Sequence, residues 1–286
     1  MITIVDIGSN SIRAMEAECN HNAFSFSEKR VFTTRLAEGL SDSGCLSDLR
    51  MEQSLRILEQ IAQSARQSGT TPIFAYATSA VRDAKNAADF CTPAQQILSA
   101  PITVLSGEKE AALAFLGATG GVGGLIDIGG GSAQVITADY RKSFPTGCVR
   151  AKDVGAHRPA LSPYDALLPW LRENITLPNG LTKQFTGVGG TITTLSAIAL
   201  SLPQYDPARV TGSVLSLPTL LVLSDALESM GDEKRRLHPL LTQRHDVICY
   251  GCAILRYLME KLHLEQITVS DADGMEGFAR HVLKET

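Results

Sequence analysis

One short pattern, D-I-G-x-x-S, occurs twice and constrains this chain more than any other feature in it. The copies read Asp6-Ile7-Gly8-Ser9-Asn10-Ser11 and Asp127-Ile128-Gly129-Gly130-Gly131-Ser132. Each lies between two short apolar runs of strand character. A repeat whose period is near half the chain points to two similar α/β halves. With 286 residues, 44% of them hydrophobic, each half can bury a core of its own.

The runs around the copies support this reading. Strands are expected at 2–6, 12–17, 24–32, 73–77 and 102–105, and helical periodicity marks 48–66 and 110–118. The order restarts with strands at 125–128, 133–137, 142–145 and 185–188, then helices near 191–202 and 247–262. The Gly-rich stretch 117–124 is a natural junction. It divides the chain into residues 1–118 and 119–286, with a C-terminal helix at about 273–286 returning to the first half. It is no dinucleotide fingerprint, because it precedes a strand rather than following one.

A strand ending in Asp, then a Gly free to adopt positive φ, then small polar residues, makes a tight turn whose N–H groups converge on an anion. Ser9, Asn10, Ser11 and Ser132 add side-chain donors. Asp6 and Asp127 would repel a phosphate, so their place there implies a Mg²⁺ ion between carboxylate and phosphate, with Mn²⁺ as the alternative. Such turns are also common in hairpins that bind nothing; finding two in register is what favours phosphate. A third Gly-rich turn, Gly187-Val188-Gly189-Gly190-Thr191, follows a strand and opens a helix, so its free N–H groups and dipole also suit an anion.

Composition excludes other classes. A net charge of −4, from 30 acidic and 26 basic residues, provides no global field for nucleic acid or anionic membranes. No apolar stretch approaches the ~20 residues of a membrane span. The N-terminus lacks signal-peptide character, so a cytoplasmic location is expected. The six cysteines are scattered, and the Cys249-x-x-Cys252 spacing falls inside an apolar helical run, which favours packing over redox or zinc chemistry. A homodimer is the common assembly of a cytoplasmic protein that oligomerises, although no interface signature identifies one.

Further blocks carry a family resemblance: Ala77-Thr78-Ser79-Ala80-Val81-Arg82, Leu105-Ser106-Gly107-Glu108-Lys109-Glu110, Gly147-Cys148-Val149-Arg150, Arg244-His245-Asp246 and Val269-Ser270-Asp271 with Glu276-Gly277. With the three turns, they make the chain resemble the exopolyphosphatase / guanosine pentaphosphate phosphohydrolase (Ppx/GppA) family. The resemblance implies an α/β fold of two duplicated actin-like (ribonuclease H-like) domains around a hinged cleft. It also implies release of terminal phosphate from polyphosphate or guanosine pentaphosphate.

By that resemblance Glu110 is the general base and Arg82 holds the scissile phosphate. Arg244 approaches the cleft, and Gly8, Gly129, Gly130, Gly131, Gly189, Gly190 and Thr191 line the phosphate turns. Asp127, with Asp6, holds the metal. Two departures stand out: Gln134 replaces a family Glu after the second turn, and Lys109 replaces the first Glu of an acidic pair. Because the chain stops before the C-terminal helical domains of longer relatives, short substrates are expected. The contrasting reading is a sensor that binds polyphosphate or a guanosine polyphosphate and hydrolyses it weakly or not at all. A phosphotransferase is a third reading, against which the Glu110 and Arg82 blocks speak.

Overall fold

The computed structural model describes residues 1–21, 23–158 and 161–285. The first half contains β1 (Ile2–Ile7), β2 (Ser11–Asn20), β3 (Ala23–Phe26), β4 (Arg30–Thr33), α1 (Leu40–Ser43) and α2 (Asp48–Ser68). It continues with β5 (Ile73–Ala77), α3 (Ser79–Asp83), α4 (Ala87–Leu98), β6 (Ile102–Val104) and α5 (Gly107–Thr119). The second half opens with β7 (Gly124–Ile128), β8 (Ala133–Thr137), β9 (Arg141–Phe144), α6 (Cys148–Ala156), α7 (Pro163–Asn174), β10 (Phe185–Val188) and α8 (Gly190–Ala199). It ends with α9 (Pro207–Val210), β11 (Val214–Ser216), α10 (Leu217–Leu237), α11 (Ile248–Leu262), β12 (Gln266–Val269) and α12 (Gly274–Glu285). Thr286, the last residue of the expected C-terminal helix, lies outside the described residues.

The sheets run β3-β2-β1-β5-β6, with β4 also on β2, and β9-β8-β7-β10-β12-β11. In each, a hairpin supplies an antiparallel strand beside the first (β2 on β1, β8 on β7), and crossovers add a parallel strand on the other side (β5 on β1, β10 on β7). The internal repeat is therefore a repeat of topology. β1 is buried along its whole length, as a central strand with covered faces requires.

The helices that end the two halves cross over. α5 packs on β7, β8 and β9, burying Ala111, Ala114 and Phe115 against Leu125, Ile136 and Val188. α12 packs on β1, β2 and α5, burying Met275, Phe278 and Val282 against Ile2, Ile4 and Met15. Each large side chain so buried contributes about 1.5–3 kcal/mol. Glycine permits the close helix contact: a Cβ on Gly117 would stand 2.0 Å from the Asp273 carbonyl oxygen, and one on Gly277 would stand 2.0 Å from that of Leu113.

The run 24–32, expected as one strand, is two. β3 pairs with the far end of β2 and β4 with its near end. Between the pairs Ala17–Phe26 and Ala14–Arg30, three residues (27–29) face two (15 and 16). That bulge redirects Lys29 inward, where its ammonium lies 2.9 Å from Glu276 and 3.4 Å from Asp273. All six cysteines are free, and Cys249 and Cys252 are buried within α11. Among the described residues no helix is long and apolar enough to cross a membrane.

Candidate active site

Both repeated turns close in the same way. Gly8 N–H donates to the Ser11 carbonyl at 3.1 Å, and Gly129 N–H to that of Ser132 at 2.9 Å. The N–H groups of Ser9, Asn10, Gly130 and Gly131 donate to no backbone carbonyl among the described residues. These free donors form the anion nest that the pattern implied.

The expected reason for the glycines is wrong, however. None of Gly8, Gly129, Gly130 and Gly131 has positive φ. Close approach demands Gly8, Gly130 and Gly131 instead. A Cβ on Gly130 would lie 2.9 Å from the Asn10 nitrogen, and one on Gly131 would lie 2.7 Å from the Ser9 hydroxyl. The two turns meet tip to tip, and only bare backbone fits. Ser79, at the start of α3, shares a hydrogen bond with Ser9 (2.9 Å) and supports the junction. In the third turn Gly189 does take positive φ, 87°, where it caps α8.

The three turns surround a cavity of about 100 Å³, lined by Asp6, Gly8, Ser9, Asn10, Ser11, Glu110, Asp127, Gly129, Gly130, Ser132, Gly189, Gly190 and Arg244. A space of that size holds several water-sized oxygens, enough for a phosphate group. A second cavity of about 350 Å³ adjoins it and shares Gly189, Gly190 and Arg244. Arg244 packs so closely on Gly190 that a Cβ there would lie 2.0 Å from its Nη2. No carboxylate is among the groups that shift Arg244, and burial holds its pKa below the ordinary value. A buried guanidinium without a carboxylate is a ready receptor for an anion.

Five residues singled out from sequence lie outside the cavity lining. Gly131 is at the contact between turns. Thr191 is buried, and its side chain packs against Gly251. Lys109 is exposed on α5, its N–H capped by Ser106 Oγ at 3.2 Å. Gln134 is buried and donates to Ser132 Oγ at 3.0 Å, leaving its Oε1 without a partner. Arg82, expected on the scissile phosphate, sits behind Glu110. Its Nη1 donates to Glu110 Oε2 at 3.1 Å and to the Leu105 carbonyl at 2.8 Å.

The electrostatics single out two carboxyls. Burial pushes Glu110 up to about 7, against the opposing pull of Arg82 and of the Gln134 amide. Burial pushes Asp127 up to about 7 as well, reinforced by Asp273 and Glu110. Asp6 is also raised by burial, although Arg13 opposes this: Arg13 Nε donates to Asp6 Oδ2 at 2.9 Å, and its Nη1 pairs with Asp273. At Asp273 burial again pushes upward, but Arg13, Lys29 and the Met275 N–H together outweigh it and hold the carboxyl well below the usual range.

Sequence reading did not single out Arg13, Asp273 or Lys29. The repeat carried a signal for the first of these. Arg13 pairs across strands with Asp6 as Gln134 does with Asp127, so the two occupy equivalent positions. Asp6 therefore faces a cation and Asp127 a neutral amide. That contrast, with the orphaned buried Asp6 Oδ1, suits a divalent cation at Asp127. Among the described residues no three His, Cys, Asp or Glu side chains converge to hold a metal ion. The donor set fits Mg²⁺, which keeps waters and substrate phosphate beside one or two carboxylates.

The sequence model of the Ppx/GppA phosphatase family matches residues 17–285. The chain belongs to that family. Exopolyphosphatase 2 of Mycobacterium tuberculosis is 28% identical over 97% of this chain and 97% of its own length. The guanosine-5'-triphosphate,3'-diphosphate pyrophosphatase of Vibrio cholerae is also 28% identical, but the match spans 98% of this chain and 59% of that longer protein. The solved Ppx/GppA family member from Aquifex aeolicus superposes with a TM-score of 0.75 at 26% identity, covering 100% of this chain and 98% of that one. An exopolyphosphatase-like protein shares the fold at a TM-score of 0.92 and 23% identity, over 99% and 98% of the two chains. The duplicated α/β fold expected from the sequence is the fold of these Ppx/GppA structures.

Proposed function

We propose that this protein is a cytoplasmic, Mg²⁺-dependent phosphohydrolase that releases terminal orthophosphate from inorganic polyphosphate, short chains favoured, or from guanosine pentaphosphate. The observation that carries this reading is the meeting of three anion-binding turns around a phosphoryl-sized cavity containing a carboxyl poised near neutrality.

The N–H groups of Ser9, Asn10 and Gly130 and the Arg244 guanidinium clasp phosphate oxygens. Glu110 takes a proton from the attacking water, a task for which a pKa near the working pH is best suited. Arg82 holds the Glu110 carboxylate in place. Asp127, with the free oxygen of Asp6, holds Mg²⁺, which when bound neutralises charge on the transferring phosphoryl group. As water adds to phosphorus, the anhydride P–O bond breaks and the shortened chain leaves.

Phosphate release from tripolyphosphate and guanosine pentaphosphate, measured in parallel with Mg²⁺ and with EDTA, tests this reading. Metal-dependent release from either substrate supports it. The neutral Gln134 beside Asp127 favours a second reading, a polyphosphate or guanosine polyphosphate sensor. Tight binding without release in Mg²⁺ or Mn²⁺ selects that one.

A further inference from the structure

Arg82 does not serve Glu110 alone. Its Nε lies 3.4 Å from Asp83 Oδ1, so the two carboxylates compete for one guanidinium. Asp83 is gripped from the other half of the molecule by Arg150 on α6. The start of α6 is fixed to the second phosphate turn, with Cys148 N–H donating to the Gly129 carbonyl at 2.9 Å and Val149 N–H to that of Gly130 at 2.7 Å. On its other side, α3, which carries Arg82 and Asp83, is tied through Ser79 to the first turn. A continuous path thus runs from the phosphate-clasping backbone through Arg150, Asp83 and Arg82 to Glu110.

We infer that Arg150 and Asp83 are positioning residues, and that the grip of Arg150 on Asp83 sets how fully Arg82 engages Glu110 when phosphate seats the second turn. When Arg150 holds Asp83, Arg82 is left to Glu110. When it lets go, Asp83 draws Arg82 away. The inference rests on the proposed role of Glu110.

The test reads Glu110 directly, by ¹³C NMR of protein labelled at the glutamate carboxyl carbon, the Glu110 signal being assigned by its loss in Glu110→Gln. The other groups facing Glu110 are Asp6 from β1, Tyr76 from β5, Asp127 from β7 and Gln134 from β8, and none is altered. Asp83→Asn moves the Glu110 midpoint down by about half a unit to one unit, and Arg150→Gln moves it up by a similar amount. Arg150→Lys lies between Arg150→Gln and the unaltered protein. The double variant separates a relay from a simple sum of charges. With Asp83 gone Arg150 has nothing to act through, so Asp83→Asn/Arg150→Gln titrates like Asp83→Asn alone. Midpoints that stay fixed, or a double variant that returns to the original value, overturn the inference. Because the signal needs no turnover, absence of phosphate release refutes the proposed hydrolase without deciding the relay. In an active enzyme the acid limb of kcat/KM moves with the NMR midpoint.

Discussion

Replacing Gln134 with Glu places a carboxylate opposite Asp127 and puts the proposed metal assignment to a direct test. The two residues are paired across β7 and β8, which places their Cβ atoms about 5 Å apart. Two ionised carboxylates at that separation repel by about 3 kcal/mol at an effective dielectric near 20. Asp127 is already pushed up to about 7, so repulsion develops only as pH rises through that value. Below about pH 5 the pair retains a proton and the penalty vanishes. In EDTA, Gln134→Glu therefore unfolds near the unaltered temperature at pH 5.5 and about 5–10 °C lower at pH 8.5, since each kcal/mol is worth roughly 2–4 °C in large domains. A divalent cation removes the repulsion, so Mg²⁺ raises the melting temperature of the variant at pH 8.5 more than it raises that of the parent. Differential scanning fluorimetry across pH and Mg²⁺ concentration measures both effects. Equal melting temperatures in EDTA at pH 8.5, with equal gains from Mg²⁺, would refute a cation at Asp127.

Glu110→Gln should lower kcat for phosphate release by about 10²–10⁴-fold, the usual worth of a general base, while equilibrium dialysis still finds tripolyphosphate bound. In the parent, the Glu110 pKa near 7 predicts that kcat/KM rises with pH through about 7; a rate flat from pH 5 to 9 contradicts a base with that pKa. Gly190→Ala puts a Cβ where the Arg244 guanidinium lies, and loss of a charge-assisted contact worth about 1.5–3 kcal/mol should weaken tripolyphosphate binding by roughly 10- to 100-fold, read by calorimetry. Gly117→Ala forces α5 from the Asp273 backbone and should cost about 1–3 kcal/mol or more in denaturant-induced unfolding.

The local parts of the site were legible because their causes are local. The order Asp, Gly, small polar residues and strand fixes each hairpin, and both turns formed where the pattern stood. The Ser106 cap and the acid three residues into α5 are equally local. Other features depended on contacts distant in sequence. That glycine is needed at 130 for the close approach of Ser9 and Asn10, and at 131 for that of Ser9 and Ser79, rather than for positive φ, is visible only once the halves meet. The turn of Arg82 from phosphate to Glu110 depends on where β6 and α5 bring Leu105 and Glu110. Lys29 reaches Glu276 and Asp273 through a bulge that reading 24–32 as one strand concealed.

The duplicated architecture explains why the two walls of a nearly symmetric cleft differ in charge. Each exchanged helix starts with a glycine behind a cap, Ser106 for α5 and Asp273 for α12, and carries a glutamate in its first turn. In the copy built from β1 and α12, the acids are matched by the protein's own cations: Arg13 bridges Asp6 and Asp273, and Lys29 holds Glu276. In the copy built from β7 and α5, Asp127 faces Gln134, and Glu110 has a single arginine that it shares with Asp83. Carboxyls without a full complement of cations titrate near neutrality and attract a metal ion. The same twofold pattern therefore leaves the acids of one half paired and those of the other short of cations, and the proposed base and cation site lie in the second. The difference comes from what stands opposite each aspartate, arginine in the first half and glutamine in the second.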